Sequence, residues 1–455
     1  MSETALELAE RALATAPPGA RVQATVSQER SLLLRFARSH PTQATAIDDT
    51  GVEVTAFADG HVGAATTNRT GPDVLRACAR AAVRSVEEAA RAGGTGDANH
   101  PGPPAPAPVR THDGYDADTT RLDPGTGSAA LQAAFAVAER TAVEAHGVWT
   151  AAEVTTAIAS STGLRVVDRV TDALVKVTAL ARGGRSGYAV ETAVAADTLD
   201  PGGVAERAAA KATAAGTPAR LGPGEYPVVF EIPAVGELLA WLGLTGFSGL
   251  AYAEGRSALC ERLGTRVAAA AVNLSDSPRF PGTLPRSFDF EGVPKMPLPL
   301  IQDGVAHRVV HDSRSGAMLG VPSTGHALAP GGGPYGPLPT NLVLVGGGAA
   351  DAAELCAPVE RGVYVTRLWY TNAVRPRESL ITGVTRDGTF LIEGGRVTCP
   401  LEDLRLTDSV LGIFDRIQAL GARPLLTSDG EFYGRRFASG AVCPPMRVGA
   451  VRFTA

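Results

Sequence analysis

The feature that most constrains the fold is a change of hydrophobic period that occurs twice within residues 1–218. After an amphipathic helical start, "RVQATVSQERSLLLRFARS", "TQATAIDD", "GVEVTAFAD" and "HVGAATTN" alternate apolar and polar residues, which is typical of strands. At "TGPDVLRACARAAVRSVEEAARAGG" the period becomes about 3.6, which indicates a helix with Thr70 or Gly71 as its N-cap. The same order recurs between residues 128 and 216. The pattern predicts a helix–meander–helix unit that is used twice.

The chain is predicted to form two domains. A sheet with one face covered by helices buries the alternating strands, so residues 1–220 are predicted to form an α+β domain of helices and antiparallel meanders. We expect turns at Thr50-Gly51 and Thr162-Gly163, in equivalent places of the two units. Residues 93–126, which include "HPGPPAPAPV", are typical of a linker or a long surface loop. Short strands and turns prevail in residues 221–455, which are predicted to form a β-rich domain.

Composition and termini exclude several classes of function. The net charge of −5 and the pI near 6.0 provide no basic patch for nucleic acid. The N-terminus "MSETALELAERALATA" lacks the basic region of a signal peptide, and no apolar run reaches the ~18 residues that a membrane span needs. Five cysteines stand far apart without a CxxC motif. We therefore expect a cytoplasmic protein that binds neither nucleic acid nor membrane.

Two histidines four residues apart raise the question of a metal site. In "DGVAHRVVHDSRSG", His307 and His311 would face one zinc ion only if the segment were helical. Asp303-Gly304 indicates a turn, and "VAHRVV" after it indicates a strand. Four strand residues span about 13 Å, too far for two zinc–nitrogen bonds. A helix is predicted to begin only afterwards, with Asp312 or Ser313 as its N-cap.

Several stretches together resemble one known family. They are "RFARSHPTQATAIDDTGVEVTAFADGHVGAATTN", "GEYPVVFEIPAVGELLAWL", "HDSRSGAMLGVPSTGHA", "ERGVYVTRLW", "TRDGTFLIEGGRVTCPLEDLRLTDS" and "SGAVCPPMRVGAVRFTA". In this order they resemble the TldD/TldE (PmbA) family, once called modulators of DNA gyrase. The resemblance implies two kinds of subunit that pair as a metallopeptidase acting on small or unfolded peptides. The TldD kind carries a HExxxH zinc motif on a central helix and a further cysteine ligand near its C-terminus, and the TldE kind lacks them.

The chain lacks the HExxxH motif in the region where the resemblance places it, so the resemblance implies a subunit of the TldE kind. After "EYPVVFEIPAVGELLAWL" the sequence reads "GLTGFSGLAYAEGRSALCERLG", and it has no histidine between His146 and His307. A HExxxH site needs two imidazoles for the zinc and a glutamate to activate its water. Glu237 and Glu254 lie in this region, but carboxylates without imidazole partners favour helix-end or solvated charges. We therefore predict no catalytic residue and no metal ligand in this chain, with zinc expected in the partner.

Other candidates receive structural interpretations. Cys443, in "AVCPPM", falls a few residues later than the zinc-binding cysteine of the TldD kind would, which favours a core or edge cysteine. His311 and Asp312 could suggest a catalytic dyad, but the resemblance implies a strand-to-helix corner where Asp312 or Ser313 caps the helix.

Two surfaces are predicted to contact other molecules. The stretch "GVPSTGHA" precedes a Gly/Pro-rich loop without a P-loop ending, so Ser323, Thr324 and His326 are candidate contacts in a peptide cleft, with His326 expected to be solvated. Residues 234–263 are predicted to form one long helix that is apolar almost all round. We expect a partner subunit to cover part of it, and the candidate interface residues are Trp241, Leu242 and Phe247.

Three functions are compatible with these observations. By resemblance, the chain is a non-catalytic TldE-like subunit that pairs with a TldD-like zinc peptidase and shapes the site for a peptide substrate. A second interpretation is a stand-alone enzyme with a replaced active site, acting in peptide or natural-product tailoring. A third is a homodimeric ligand-binding protein without catalysis.

Overall fold

The structure is a computed structural model that describes residues 3–92, 99–428 and 435–454. The N-terminal part contains the helices α1 (Ala5–Ala14), α2 (Pro72–Arg91), α3 (Pro124–Arg140) and α4 (Pro201–Ala212), and the strands β1 (Arg21–Ala37), β2 (His40–Ala58), β3 (His61–Thr67), β4 (Val143–Ser160), β5 (Arg165–Ala181) and β6 (Ser186–Ala193). Short 3₁₀ turns lie at Thr119–Arg121 and Ala196–Thr198.

The six strands of this part form one antiparallel sheet in the order β3-β2-β1-β4-β5-β6. Each half of the sheet is a three-stranded meander preceded and followed by a helix, and β1 pairs with β4 where the halves meet. α2 packs on the first half, α3 and α4 pack mainly on the second, and α1 contacts strands of both halves. Trp149 of β4 lies fully buried beneath α3 and α4. The prediction of a helix–meander–helix unit used twice is confirmed.

Local sequence signals misplaced two boundaries in this domain. The predicted turn at Thr50-Gly51 is wrong, because both residues lie inside β2 and pair with β1. The hairpin turns instead at Arg38 and Ser39, whose φ angles are 51° and 58°, so Thr50-Gly51 does not correspond to the turn at Thr162-Gly163. The second unit, predicted to begin at residue 128, begins with α3 at Pro124. This helix ends at Arg140, since Val143 and the residues after it pair with β5 as β4.

The segment predicted as a linker is irregular but is held against both domains. Gly93 and Gly94 lie outside the described residues, and residues 99–118 contain no helix or strand. His100 Nε2 lies 3.0 Å from Glu291 Oε1, and His112 Nε2 lies 2.8 Å from Asp168 Oδ1. Both imidazoles are almost completely buried. These contacts connect the segment to β5 and to the C-terminal domain; the boundary near residue 220 stays a prediction.

The C-terminal part is β-rich, as predicted. Its helices are α5 (Ile232–Leu242), α6 (Gly249–Ala253), α7 (Ser313–Leu319), α8 (Ala352–Cys356) and α9 (Val410–Asp415), with a 3₁₀ turn at Pro376–Glu378. Its strands are β7 (Gly224–Phe230), β8 (Leu274–Asp276), β9 (Leu298–Gln302), β10 (Val305–Ala306), β11 (Asn341–Leu344), β12 (Arg361–Arg375), β13 (Leu380–Glu393), β14 (Arg396–Pro400), β15 (Arg405–Ser409), β16 (Ile417–Leu420), β17 (Leu425–Thr427), β18 (Gly440–Cys443) and β19 (Met446–Thr454).

Two sheets build this domain. One runs β10-β9-β8-β11-β18-β17, and the other runs β12-β7-β19-β15-β13-β14. Because β12 also pairs with β13, the second sheet closes into a ring from which β14 projects as an edge. A large apolar core between the sheets encloses α5. No helix in the described ranges combines the length and apolarity that a membrane crossing requires.

The single helix predicted at residues 234–263 is wrong. α5 ends at Leu242, a π-helical turn follows at Gly243–Phe247, and α6 covers only Gly249–Ala253. Ser248 is extended and caps α6 by accepting a hydrogen bond from Ala251 N. A Cβ on Gly249 would lie 2.3 Å from the carbonyl oxygen of Val310. The glycine allows this close approach, and the helix is interrupted where the chain meets residue 310.

Candidate functional site

A cleft between the two domains lies against α5, which occupies the region where the resemblance places the zinc helix of the TldD kind. Its volume is about 470 Å³. The N-terminal sheet contributes side chains of β5 and β6, and the C-terminal domain contributes α5, β12 and the ends of β17 and β18. The lining residues are Lys176, Tyr188, Pro233, Gly236, Glu237, Ala240, Pro339, Thr340, Leu342, Arg367, Leu368, Trp369, Tyr370, Thr427, Ser428, Ser439, Gly440 and Ala441.

One wall of the cleft is a stack of an arginine between two aromatic rings. The Arg367 guanidinium lies 4.1 Å from the ring centre of Tyr188 and 4.9 Å from that of Trp369. Arg367 Nε donates to Asp387 Oδ2 at 2.7 Å, and Nη2 donates to the same oxygen. Ser186 Oγ donates to Asp387 Oδ1 at 2.5 Å. Because Ser186 and Tyr188 belong to β6, this stack joins the two domains across the cleft.

An irregularity in β12 places aromatic side chains at the cleft. The pairing of β12 with β13 shifts register between Trp369 and Asn372, and Tyr370 has a φ of 53°. Such a bulge bends a strand and redirects its side chains. Both Trp369 and Tyr370 are exposed and line the cleft. The cleft therefore offers aromatic and cationic groups to whatever enters it.

The donor set of this cleft does not fit zinc. Neither histidine nor cysteine occurs among its described lining residues, and Glu237 on α5 accepts a hydrogen bond from Trp241 Nε1 at 3.0 Å. Throughout residues 3–92, 99–428 and 435–454, no group of three His, Cys, Asp or Glu side chains is arranged to hold a metal ion. This chain therefore has no ligand set of the HExxxH kind in its cleft.

The His307 and His311 pair does not converge. The strand predicted for this segment is confirmed only at Val305–Ala306. Residues 307–309 are irregular, and Val310 makes an isolated bridge with Ser248. His307 is exposed whereas His311 is buried. Burial lowers the pKa of His311 to about 4. The imidazole is therefore neutral at pH 7.

The corner after His311 is a helix cap, as predicted. Asp312 Oδ1 accepts hydrogen bonds from Ser315 N at 2.7 Å and from Ser315 Oγ at 2.6 Å. Ser315 Oγ accepts in turn from Asp312 N at 3.2 Å, which completes a capping box at the start of α7. The hydroxyl of Ser315 also lies 3.3 Å from His311 Nδ1. These contacts account for one carboxylate oxygen of Asp312 as a helix cap, and the absence of a catalytic role for this residue stays a prediction.

The candidate peptide contacts lie away from the cleft. Thr324 Oγ1 and Ser323 Oγ each donate to the carbonyl oxygen of His311 at 3.1 Å, which holds the loop against the start of α7. The expectation that His326 is solvated is wrong, because its side chain is completely buried. Contact of a peptide with Ser323 and Thr324 stays a prediction, whereas His326 has no surface to offer.

His326 belongs to a buried ionic cluster that the sequence did not reveal. Its Nε2 and Lys295 Nζ each lie 3.3 Å from Asp276 Oδ1. Asp276 also accepts from the backbone N–H groups of Thr340 and Asn341 at 2.7 and 2.9 Å. Although burial opposes ionisation, Lys295, His326 and these hydrogen bonds keep the pKa of Asp276 well below its usual range. The cluster holds the loop from residue 325 to 341 against β8 and β11.

A second buried pair fastens the domains together. Arg436 Nε lies 3.1 and 3.0 Å from the two carboxylate oxygens of Asp172, its Nη2 donates to Oδ1 at 2.5 Å, and its Nη1 donates to Thr150 Oγ1 at 3.0 Å. Asp168 and Asp172 share their face of β5 with buried Val166 and Val170. Two carboxylates on the same face of a strand as buried valines must be covered by a cationic partner. This pattern could have indicated the interface from the sequence.

The predicted partner surface is mostly internal. Leu242 and Phe247 have no exposed surface and belong to the C-terminal core, so their assignment to an interface is wrong. The core between the two sheets encloses α5, which ends at Leu242, and the π-helical turn that contains Phe247. Trp241 is half-buried, and its contact with a partner stays a prediction.

Cys443 and Glu254 behave as the sequence indicated. Cys443 ends β18 with no exposed surface, and burial raises the pKa of its thiol. It is a core cysteine, as predicted. Glu254 forms an ion pair with the exposed Arg256, as expected of a solvated charge.

Comparison with known proteins matches most of the chain to one family. The chain matches the PmbA/TldA metallopeptidase C-terminal domain over residues 223–455, the central domain over 126–215 and domain 1 over 22–86. A metalloprotease TldD homolog from Buchnera aphidicola is 24% identical over 210 residues, which cover 44% of this chain and 41% of that relative. The chain therefore spans under half the length of this curated relative.

Solved structures share the whole fold. TldE from Thermococcus kodakarensis superposes with a TM-score of 0.85 at 19% identity, over 99% of this chain and 100% of that one. A protein from Thermotoga maritima described as a modulator of a DNA gyrase gives 0.83 at 22% identity, over 99% and 100%. A similarly described protein from Bacteroides thetaiotaomicron gives 0.77 at 20% identity, over 99% and 98%.

Proposed function

The chain belongs to the PmbA/TldD metallopeptidase family, and on that premise we propose that it is the TldE-like, non-catalytic subunit of a heteromeric zinc metallopeptidase that processes small or unfolded peptides. The observation that carries the proposal is the cleft along α5. Its described walls present lysine, arginine and aromatic side chains and one hydrogen-bonded glutamate, instead of two imidazoles and a free carboxylate. In such an assembly zinc supplies the Lewis acid that activates water, and its ligands belong to a TldD-like partner.

This chain would contribute walls and substrate contacts. The Tyr188–Arg367–Trp369 stack is held by Asp387 and spans both domains, so it keeps the cleft in one shape. Exposed Trp369 and Tyr370 offer faces on which the side chains of a peptide can pack. The lack of histidine and cysteine among the described lining residues supports this assignment over the TldD kind. We propose that the complex works in the cytoplasm, which the five free cysteines support.

Recovery of the complex tests this proposal. The tagged chain is expressed in its native cell, captured, and analysed by gel filtration and mass spectrometry. We expect an equimolar companion whose sequence carries HExxxH, and we expect peptide hydrolysis only in fractions that contain both chains. If the chain purified alone hydrolysed a peptide at the rate of the complex, the stand-alone enzyme would be the better interpretation.

A further inference from the structure

A second cavity, of about 1000 Å³, adjoins the cleft on which the proposed function rests. It shares Pro233 and Thr427 with the cleft. α4 and β6 of the N-terminal domain form one side, and α8, β14 and β17 of the C-terminal domain form the other. Pockets of this size accept drug-sized molecules or several residues of a peptide.

The walls of this cavity are mainly apolar, and some of them remain in contact with solvent. Leu425 of β17 is 60% exposed and Val397 of β14 is 44% exposed. Both line the cavity together with Ile232, Phe390 and Ala210. Exposed leucine and valine side chains around a cavity favour an apolar occupant, because its binding removes their surface from water.

Among the described residues, the polar cluster at the inner wall leaves one N–H donor of Lys211 without a partner. Glu231 accepts from Tyr364 OH at 2.7 Å through Oε1 and from Lys211 Nζ at 2.7 Å through Oε2. Lys211 also donates to the carbonyl oxygen of Tyr188 at 3.0 Å. An ammonium group has three N–H bonds, so one remains for an oxygen atom of a bound molecule. The negative charge of Glu231 is balanced by Lys211.

The remaining charges around the cavity favour an anion. Arg207 lies 3.7 Å from Glu191, so this pair is also balanced. Arg396 of β14 is exposed and forms no ion pair within the described part of the chain. An apolar occupant with one carboxylate would therefore match both the walls and the charge.

Three sheet edges line the cavity and favour a peptide over a fatty acid as its occupant. β6, β14 and β17 each stand at the end of their sheet, and all three line the cavity. Main-chain N–H and C=O groups at such edges can bond to peptide groups, which a fatty acid lacks. We propose that this cavity binds the carboxyl-terminal segment of a peptide that ends in an apolar residue, with the terminal carboxylate facing Arg396. This inference rests on the proposed function, since it names the class of peptide that the complex would select.

The first test measures the role of the carboxylate. The purified full chain, without a partner, is titrated into a fluorescein-labelled hexapeptide ending in leucine, with either a free carboxylate or a terminal amide. We expect the carboxylate form to bind about tenfold more tightly. Arg396→Gln should reduce this ratio below about twofold, whereas Arg405→Gln, at an exposed position of β15 outside the cavity, should preserve it. Equal binding of the two peptides by the unmodified chain, or no binding, would overturn the proposal.

The second test fills the cavity. Ala210 is exposed on α4 and lines the cavity, so Ala210→Trp should fold normally and weaken peptide binding at least about tenfold. Ala129→Trp, at an exposed position of α3 outside the cavity, is the matched control. Binding undiminished in Ala210→Trp would contradict the assignment, as would decanoate displacing the peptide at equal concentration, which would indicate a lipid site. Because these measurements use the chain alone, they do not depend on whether the complex has peptidase activity.

Discussion

Replacement of Arg436 by glutamine should lower the free energy of unfolding, because it breaks a buried ion pair between the two domains. Arg436 and Asp172 are each only 3% exposed, and together with Thr150 they connect the N-terminal sheet to the segment after residue 434. In Arg436→Gln the Asp172 carboxylate would stay buried without its cation. Breaking a buried pair in this way costs about 3–5 kcal/mol, much more than the pair contributes relative to a neutral replacement. We therefore expect the free energy of unfolding to fall by about that amount.

Urea unfolding at pH 7, followed by far-UV circular dichroism and tryptophan fluorescence, measures this loss. The matched control is Arg140→Gln, which removes a surface pair whose side chains are 59% and 60% exposed, and it should cost less than about 1 kcal/mol. The double variant Arg436→Gln/Asp172→Asn should recover part of the loss because neither charge remains. Two results would refute the buried interdomain pair. One is a loss of unfolding free energy in Arg436→Gln no larger than in the control. The other is a loss in the double variant equal to the sum of the losses in Arg436→Gln and Asp172→Asn measured separately.

Three further predictions follow from the sites described. After dialysis, metal analysis should find well under one zinc per chain, and one tightly held zinc with His307 or His311 among its ligands would contradict this. The pKa of His311 is about 4 in the folded chain against 6.5 for the free side chain; the unfolded state thus binds more protons between these values, and stability should fall by up to about 3 kcal/mol as pH drops from 6.5 to 4. In urea titrations His311→Gln should show a smaller fall, and an unchanged fall would refute the assignment. A thiol reagent should modify half-buried Cys260 and Cys399 in the native protein and leave the three buried cysteines intact, and rapid labelling of Cys443 would contradict its place in the core.

The N-terminal fold was accessible from the sequence because its strands and helices are long and strongly periodic. The duplicated unit followed from two changes of period, and the sheet order with β1 beside β4 agrees with it. The turn at Thr50-Gly51 failed for a local reason: glycine in an extended conformation still pairs in a ladder, as Gly51 does with Ser27. Residues such as Thr-Gly permit a turn but do not require one. Whether the chain turns there depends on the pairing with the neighbouring strand, which here keeps Gly51 extended.

The side chains that line the cleft could not be predicted from the sequence. The missing imidazoles are visible in sequence, whereas the groups that line the cleft come from β5, β6, α5 and β12, which are distant in the chain. The burial of Leu242 and Phe247 could not be predicted, because a helix that is apolar almost all round leaves open which of its sides the rest of the chain covers; here the core between the sheets encloses both residues. Asp276, Lys295 and His326 are likewise separated in sequence, so their cluster depends on tertiary packing that no local pattern contains.

Peptide hydrolysis by the reconstituted pair tests the central claim most directly. The assay uses the co-purified complex, with gel filtration to confirm assembly of each variant. His311→Ala, Glu254→Ala and Cys443→Ala in this chain should leave the rate within a fewfold, whereas replacing the glutamate of the partner's HExxxH motif should abolish it. Loss of a true acid–base group lowers the rate by about 10²-fold or more. A loss of that size in an assembled His311→Ala or Glu254→Ala complex would show that this chain carries catalytic residues, and would contradict its assignment as the non-catalytic subunit.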